Sequence, residues 1–185
     1  MDMAVSQIDR NAIVEAAITI LADQGLDAVS FRNVARAVGV KAPSLYWHVK
    51  GKRELLGHMS ERLVRSMLAD VPPASRWQDW LRNLAITSYR HQQRTRDIRR
   101  LIIEGRMDPA VLAEFSATFC NGLVARGFDS AQAFDAQRSV MTLATGWTMM
   151  PVDPNYPDEA PEPSFLRSLD VVIAGWEQQL RAKER

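Results

Sequence analysis

The chain has 185 residues, of which 46% are hydrophobic and 24% are charged, and its formal net charge at pH 7 is +1. This length and composition are typical of a globular protein with a substantial core, and they argue against a chain that is disordered over its whole length. Cys120 is the only cysteine, so an intrachain disulfide is excluded. Because it lies in an apolar stretch, we expect Cys120 to be a small buried core residue rather than a reactive thiol. No apolar run reaches signal-peptide or membrane-spanning length, so we expect a soluble, cytoplasmic protein without a membrane partner.

Apolar residues recur at helical spacing along the chain and no stretch alternates with period two, which predicts an all-α fold. Glycines and prolines divide the pattern, because neither residue continues a helix well. The first predicted helices span about 8–24 and 31–38, with a third opening at 42 and a long fourth from 52 to the prolines 72 and 73. The later ones span about 77–93, 97–104, 109–127, 130–150 and 164–181. Between the last two, 151–163 carries five prolines and is predicted to be a loop, either a lid or slack chain.

One segment near the N-terminus is exclusively basic. Between Asp27 and Glu54 there is no acidic residue, whereas these lysines and arginines occur there: Arg32, Arg36, Lys41, Lys50, Lys52 and Arg53. One-signed segments are often only solvated faces, but this one coincides with two short helices separated by a glycine. The apolar residues spaced to pack these helices together are Phe31, Val34, Ala35, Val38, Val40 and Leu45. We therefore expect a helix-turn-helix whose second helix faces the major groove of DNA.

The run Leu45–Arg53, LYWHVKGKR, resembles the recognition-helix signature of the tetracycline-repressor (TetR) family, and it is closest to the tetracycline-repressor subgroup itself. Residues 77–83 and the Gly127–Phe128 turn resemble the same subgroup, and the similarity weakens after Met150. The resemblance implies a DNA-binding transcriptional regulator. It implies a three-helix helix-turn-helix domain at 1–53, joined by a long helix to a helical effector-binding and dimerisation domain at 54–185.

The resemblance also assigns contacts with double-stranded operator DNA. The implied DNA-binding residues are Ser30, Arg32, Lys41, Ala42, Pro43, Ser44, Tyr46, His48 and Lys52. Among them Lys41, Ala42 and Ser44 would read bases, and the types at the first two differ from those of the subgroup, so we expect a different operator. His48 and Lys52 would hold phosphates. Tyr46 and His48 could instead pack the helix pair, and we predict that Trp47 lies in the core, because it is large and has apolar neighbours.

The second domain contains no catalytic or phosphate-loop motif, so we do not expect an enzyme; an enzyme using Cys120 or His91 is the remote alternative. A Met- and aromatic-rich interior is often only core, but the resemblance implies an effector pocket there. The residues predicted to face this pocket are Leu68, Trp80, Leu84, Ser88, Ile103, Met107, Phe115, Phe119, Met141, Thr142, Thr145, Trp147 and Met149.

The positions that match the magnesium ligands of the tetracycline subgroup carry Ile103, Thr142 and Met150, which are poor magnesium ligands. Leu84 and Phe119 likewise replace polar contacts to the drug. We therefore expect a small, largely apolar effector that binds without a metal ion or any other cofactor.

The predicted function is a repressor that binds DNA as a homodimer and is released by its effector. Helices 130–150 and 164–181 are predicted to form the dimer interface, with these apolar candidates: Val140, Leu143, Ala144, Leu169, Val172, Ile173 and Trp176. The alternative is a regulator with a filled core that is controlled by a partner protein or by no ligand. A second basic cluster consists of arginines 90, 94, 96, 99, 100 and 106. These arginines either form a solvated face, or attract DNA, or bind an acidic group of the effector.

Overall fold

A computed structural model of the chain describes residues 8–150 and 161–183. These residues form nine α-helices and one 3-10 turn, and no strand, which confirms the all-α prediction. The helices are α1 Arg10–Gln24, α2 Phe31–Ala37, α3 Ala42–Leu45, α4 Lys52–Ala69, α5 Trp77–Arg94, α6 Ile98–Glu104, α7 Pro109–Val124, α8 Ser130–Met149 and α9 Pro161–Lys183. The 3-10 turn, Leu26–Ala28, was not predicted, because three residues carry no readable periodicity.

Local signals begin and end the first helices. The side chain of Ser30 accepts a hydrogen bond from the backbone N–H of Asn33 at 3.2 Å, so Ser30 is the N-cap of α2. Gly25 ends α1 with φ of +86°, a conformation that side chains rarely adopt. Both signals involve neighbours in sequence, and the sequence therefore predicts them well.

The start of α9 differs from the prediction. The predicted loop extends to Pro163, whereas α9 begins at Pro161. Prolines are tolerated in the first turn of a helix, because the N–H groups that they lack have no intrahelical partner there. Glu162, in this turn, accepts two hydrogen bonds from the Arg90 guanidinium of α5, at 2.9 and 2.7 Å. The rest of the predicted loop, 151–160, lies outside the described residues.

The helices divide into two compact units. The head unit comprises the described residues up to Arg65 together with Thr95–Asp108, and the bundle unit comprises Ser66–Arg94 and the described residues from Pro109 onward. The predicted boundary after residue 53 concerns function and stays a prediction. By packing, the head unit continues further, because Leu55, Leu56, Met59 and Leu101 complete its core.

The core of the bundle unit is built around α8, which packs against α5, α7 and α9. Small residues of α8, such as Ala133, Ala136 and Ala144, are fully buried and allow the neighbouring helices to approach closely. The rings of Tyr89 and Phe165 stack with their centroids 4.3 Å apart and join α5 to α9. Helix α8 is therefore fixed along its length by apolar contacts within one chain.

This packing corrects part of the predicted dimer interface. Four of the proposed apolar interface residues, Val140, Ala144, Leu169 and Ile173, are already buried within the single chain. A side chain that is buried in the monomer has little surface left to contact a second copy. In contrast, Val171 of α9 is 72% exposed and remains available to such a contact.

Asp129 is expected to contribute about 1 kcal/mol to stability as the N-cap of α8. Its side chain accepts from the backbone N–H of Gln132 at 2.9 Å, and the Gln132 side chain accepts from the Asp129 N–H at 3.1 Å, which completes a capping box. Urea unfolding of Asp129→Ala should show this loss. The exposed Asp135 of the same helix is the control, because Asp135→Ala should change stability by less than about 0.5 kcal/mol. Equal effects of both substitutions would contradict the capping role.

Candidate functional site

The short helix α3 is held against the head core by two side chains. Leu45 and Val49, four residues apart, are both fully buried. They belong to one apolar cluster with Val34 and Ala35 of α2. Because both anchors point into the core, the opposite side of the α3 segment faces solvent.

Trp47 lies on this solvent-facing side, and the prediction that it is a core residue is wrong. Its side chain is 90% exposed, although it is the largest in the segment. The physical reason is its position two residues from both Leu45 and Val49, roughly half a turn from the buried face. Together with Tyr46, which is 58% exposed, Trp47 forms an exposed aromatic surface on this side of the segment.

Tyr46 combines the two alternatives that the sequence leaves open. Its ring stacks on the ring of Phe31 with a centroid distance of 4.7 Å, yet 58% of the residue stays exposed. His48 is half-buried, and its backbone carbonyl accepts a hydrogen bond from the guanidinium of Arg10 in α1 at 3.3 Å. Tyr46 therefore packs the helix pair with one face, and its remaining surface is exposed to solvent.

The other predicted DNA-binding residues lie at the surface of the head unit. Arg32, Lys41, Pro43 and Lys52 are exposed, whereas Ser30, Ala42 and Ser44 are half-buried. Among the described residues, no ion-pair or hydrogen-bond partner is found for the side chains of Arg32, Lys41, Lys52 and the neighbouring Arg53. Lys52 nevertheless acts electrostatically on the Asp27 carboxylate and helps to lower its pKa. The charges of Arg32, Lys41 and Arg53 are not neutralised by a partner among the described residues and are therefore available to phosphates.

A cleft of about 910 Å³ lies in the bundle unit between α7 and α8. Helix α7 contributes Pro109, Leu112, Ala113 and Ser116 to its lining. Helix α8 contributes Phe134, Gln137, Arg138, Met141, Thr142, Thr145, Gly146 and Met149. Most of these residues are apolar, and the α8 positions recur at the three- and four-residue spacing of one helix face.

A polar group beside the cleft links α5 to α8. The side-chain amide of Gln92 donates to the hydroxyl of Ser88 at 3.0 Å and to the hydroxyl of Thr145 at 3.2 Å. The Gln92 side-chain oxygen is buried and has no hydrogen-bond partner among the described residues. This arrangement fixes the orientation of Thr145, which lines the cleft.

The helix-turn-helix geometry agrees with comparisons to known proteins. The model of the family "Bacterial regulatory proteins, tetR family" matches residues 13–59. Tetracycline repressor protein class D from Escherichia coli is 28% identical over an alignment of 204 residues that covers 96% of this chain and 93% of that protein. Residues 13–59 therefore form a DNA-binding domain of the tetR family, and the chain as a whole is similar to tetracycline repressors. This similarity supports a DNA-binding transcriptional regulator rather than an enzyme.

Solved structures share the whole tetR-family fold with this chain. A TetR variant from Acinetobacter baumannii AYE in complex with minocycline is 25% identical with a TM-score of 0.76, and the match covers 94% of this chain and 98% of that chain. BioQ with its double-stranded DNA operator is 22% identical with a TM-score of 0.68, and the match covers 92% and 98% of the two chains. One relative of this fold therefore binds a small molecule and another binds DNA.

The cleft between α7 and α8 brings together four of the residues predicted to line the effector pocket: Met141, Thr142, Thr145 and Met149. The other lining residues were not predicted, most notably Phe134, Gln137 and Arg138. The helical spacing that continues from Met141 back to Phe134 was the available signal, but the polar residues Gln137 and Arg138 interrupt its apolar pattern.

The remaining predicted pocket residues lie elsewhere. Leu84, Ser88, Phe115 and Phe119 are buried in the bundle unit and do not line this cleft. Leu68 and Trp80 of the same unit are half-buried, as is Trp147, and they do not line it either. In the head unit, Met107 is half-buried and Ile103 is 73% exposed. Whether these residues contact an effector stays a prediction.

The arginines from 90 to 106 do not form one surface. Arg90 and Arg94 belong to the bundle unit and the others to the head unit. Arg100 pairs with Asp27 through two hydrogen bonds of 3.0 and 2.8 Å, and this guanidinium holds the pKa of the Asp27 carboxyl below its ordinary value. Arg90 and Arg100 therefore form ion pairs within the chain, and these pairs stabilise the fold.

The segment before α6 is fixed to the end of α1 within the head unit. Asp97 has φ of 52°, and its carboxylate accepts a hydrogen bond from the backbone N–H of Leu26 at 2.7 Å. Arg96 donates to the backbone carbonyl of Asp23 at 3.0 Å. Sequence periodicity gave no signal for these contacts, because they join residues about seventy positions apart.

Reactive and metal-binding groups are sparse in the described part of the chain. It contains no group of three or more His, Cys, Asp or Glu residues that could hold a metal ion. Partial burial raises the pKa of the Cys120 thiol, which keeps this thiol protonated at neutral pH. In the described part of the chain, no helix is long and apolar enough to cross a lipid bilayer.

Proposed function

We propose that this regulator is a dimeric repressor that leaves its operator when a small, largely apolar effector binds in the cleft between α7 and α8. The observation that carries the proposal is the cleft itself, with a volume of about 910 Å³ and a mostly apolar lining. Ligand pockets of proteins commonly have volumes of roughly 300–1,000 Å³ and a lining of this kind. The space is therefore sufficient for a drug-sized molecule.

The donor atoms in the cleft favour an effector that binds without a metal ion. Its described oxygen donors are the hydroxyls of Ser116, Thr142 and Thr145 and the amide of Gln137, with no carboxylate or imidazole. Magnesium is bound in proteins mainly through carboxylates and water. The TetR variant from Acinetobacter baumannii AYE is found in complex with minocycline, and we propose that the effector of this chain belongs to a different chemical class.

Effector binding is proposed to act by a population shift between a DNA-binding conformer and a released one. Pro109 lines the cleft at the start of α7 and follows Arg106 by three residues along the chain. The backbone oxygen of Arg106 lies against Gly57 of α4 within the head unit. Coupling between two sites is typically about 1–3 kcal/mol, which is enough to release an operator when both protomers are occupied.

The release experiment uses an operator selected in vitro from random DNA duplexes by the full-length protein. Fluorescence anisotropy of this operator and thermal unfolding of the protein are then followed with a panel of small hydrophobic compounds, and with tetracycline in the presence and absence of magnesium. We expect some apolar compounds to raise the melting temperature and to release the operator. Stabilisation by tetracycline only with magnesium would overturn the proposal of a metal-independent effector.

The second candidate function is a regulator controlled by a partner protein or by no ligand. It is favoured by the complete burial of Leu84, Phe115 and Phe119, which fill the interior of the bundle unit. If no compound of the panel changes either the melting temperature or operator binding, this second candidate replaces the first. Operator binding itself is expected in both cases.

Lys52 and Lys41 are proposed to contact phosphate and base, respectively, and their substitutions should separate these roles. Lys52→Ala should weaken all DNA sequences similarly and reduce the slope of log affinity against log salt by about 0.9. Lys41→Ala should lower discrimination at one operator position by about 1–3 kcal/mol. Arg181→Ala, an exposed change on α9, is the control and should alter neither property. Identical effects of the two lysine substitutions would contradict the assignment.

A further inference from the structure

We infer that the effector is an apolar molecule with one acidic group, such as a carboxylate, and that Arg138 binds this group. The inference rests on the proposed function, because it concerns the chemistry of the ligand in the same cleft. It goes further in naming the head group that the cleft selects and the residue that selects it.

Arg138 differs from every other described residue of the cleft, because it is the only one that carries a charge. The structure gives Arg138 no carboxylate partner among the described residues, and Asp135, one turn earlier on α8, makes no ion pair with it. The arginines 90, 100 and 181, in contrast, all pair with acidic side chains. Arg138 is therefore a cation without a counter-charge at the edge of an apolar surface.

The position of the guanidinium is restricted by Phe134. Its central carbon lies 5.9 Å from the centroid of the Phe134 ring, so the cation sits over an aromatic face that also lines the cleft. A planar guanidinium held in this way can bind a carboxylate through two parallel hydrogen bonds. An acid on an apolar ligand would meet Arg138 while its body lies along Leu112, Ala113 and Met141.

Polar groups further along the cleft fit the same molecule. Thr145 follows Arg138 by seven residues, which corresponds to about 10 Å along a helix. The Thr145 hydroxyl accepts a hydrogen bond from Gln92 and donates none to a described residue, so its proton is available to an acceptor atom. The cleft thus favours an acid at one end of an apolar body and tolerates an uncharged acceptor at the other.

The test uses two probes that share one apolar body, 4-(1-pyrenyl)butyric acid and 4-(1-pyrenyl)butan-1-ol. Binding to the full-length protein is measured at pH 7.5, where the acid is ionised, by titration of the pyrene fluorescence. We expect the acid to bind at least about fivefold more tightly than the alcohol, because hydrogen bonds to charged groups are the stronger ones. The difference should shrink at high salt, since the cleft is open to solvent.

Arg138→Gln should remove this preference, because it should weaken binding of the acid about fivefold and leave the affinity for the alcohol unchanged. Arg138→Lys should restore part of the preference, because it keeps the charge and loses the planar fork. Arg181→Gln is the matched control, since Arg181 is exposed on α9 and does not line the cleft. The unfolding midpoint and operator affinity of each variant show that the fold is retained.

Equal affinities of the two probes, or an Arg138→Gln variant that weakens both to the same extent, would overturn the inference and leave the proposed effector cleft standing. If instead neither probe binds and no compound of the wider panel changes the melting temperature, the proposed function fails, and the inference about its ligand fails with it.

Discussion

Leu45→Ala is expected to lower the free energy of unfolding of the head unit by about 3 kcal/mol and to abolish operator binding. Leu45 is fully buried and contributes to the cluster that includes Val34, Ala35 and Val49. Truncation to alanine would leave a cavity between α2 and α3, and the short α3 has few other contacts that could compensate. Urea unfolding and fluorescence anisotropy with the selected operator measure the two effects.

Trp47→Ala is the control for this prediction, because Trp47 lies two residues away and its side chain is 90% exposed. It should change the free energy of unfolding by less than about 0.5 kcal/mol. We expect it to weaken operator binding nonetheless, since an exposed indole beside the proposed base-reading residues is available to DNA. A Trp47→Ala protein as unstable as Leu45→Ala would show that the indole is buried after all.

Gly57→Ala is expected to destabilise the protein by about 2 kcal/mol, within the usual range for overpacking a core. In the interior of an exposed helix the same substitution stabilises, by up to about 1 kcal/mol, because glycine is a poor helix former. At Gly57 an added Cβ would lie only 2.6 Å from the backbone oxygen of Arg106. Helix α4 and the segment that follows α6 would have to separate within the head unit.

Gly146→Ala is the matched control in the interior of α8. No atom lies within 4 Å of a Cβ added there, so only the gain in helix propensity should remain. We expect thermal unfolding at a fixed protein concentration to show a lower melting temperature for Gly57→Ala and a slightly higher one for Gly146→Ala. A higher melting temperature for Gly57→Ala would show that the backbone of Arg106 does not pack against Gly57 of α4.

The helices of the head unit could be predicted well from the sequence, because their signals are local. The cap at Ser30, the glycine turn and the apolar spacing that buries Leu45 all involve residues a few positions apart. The error at Trp47 arose because residue size was given more weight than position. The spacing of Leu45 and Val49 already indicated which side of the segment is buried.

The effector half was predicted only in part. Met141, Thr142, Thr145 and Met149 line the cleft between α7 and α8, whereas Leu84 and Phe119 are buried core residues. That this cleft binds an effector stays a prediction. Hydrophobicity alone does not distinguish these two groups, because apolar side chains favour both a filled core and a ligand pocket. Arg138 was overlooked for a related reason, since an arginine on a helix is usually a solvated residue.

The sequence by itself determined the helices, their caps, the helix-turn-helix and the resemblance to the tetR family, because each depends on neighbours within a few turns of one helix. Only the tertiary structure decided which apolar face opens into a cleft, which arginine stays without a counter-charge, and how Asp27 finds Arg100 across 73 positions of sequence. Periodicity reports that a side chain is buried or exposed, but the identity of its neighbour depends on how separate helices pack.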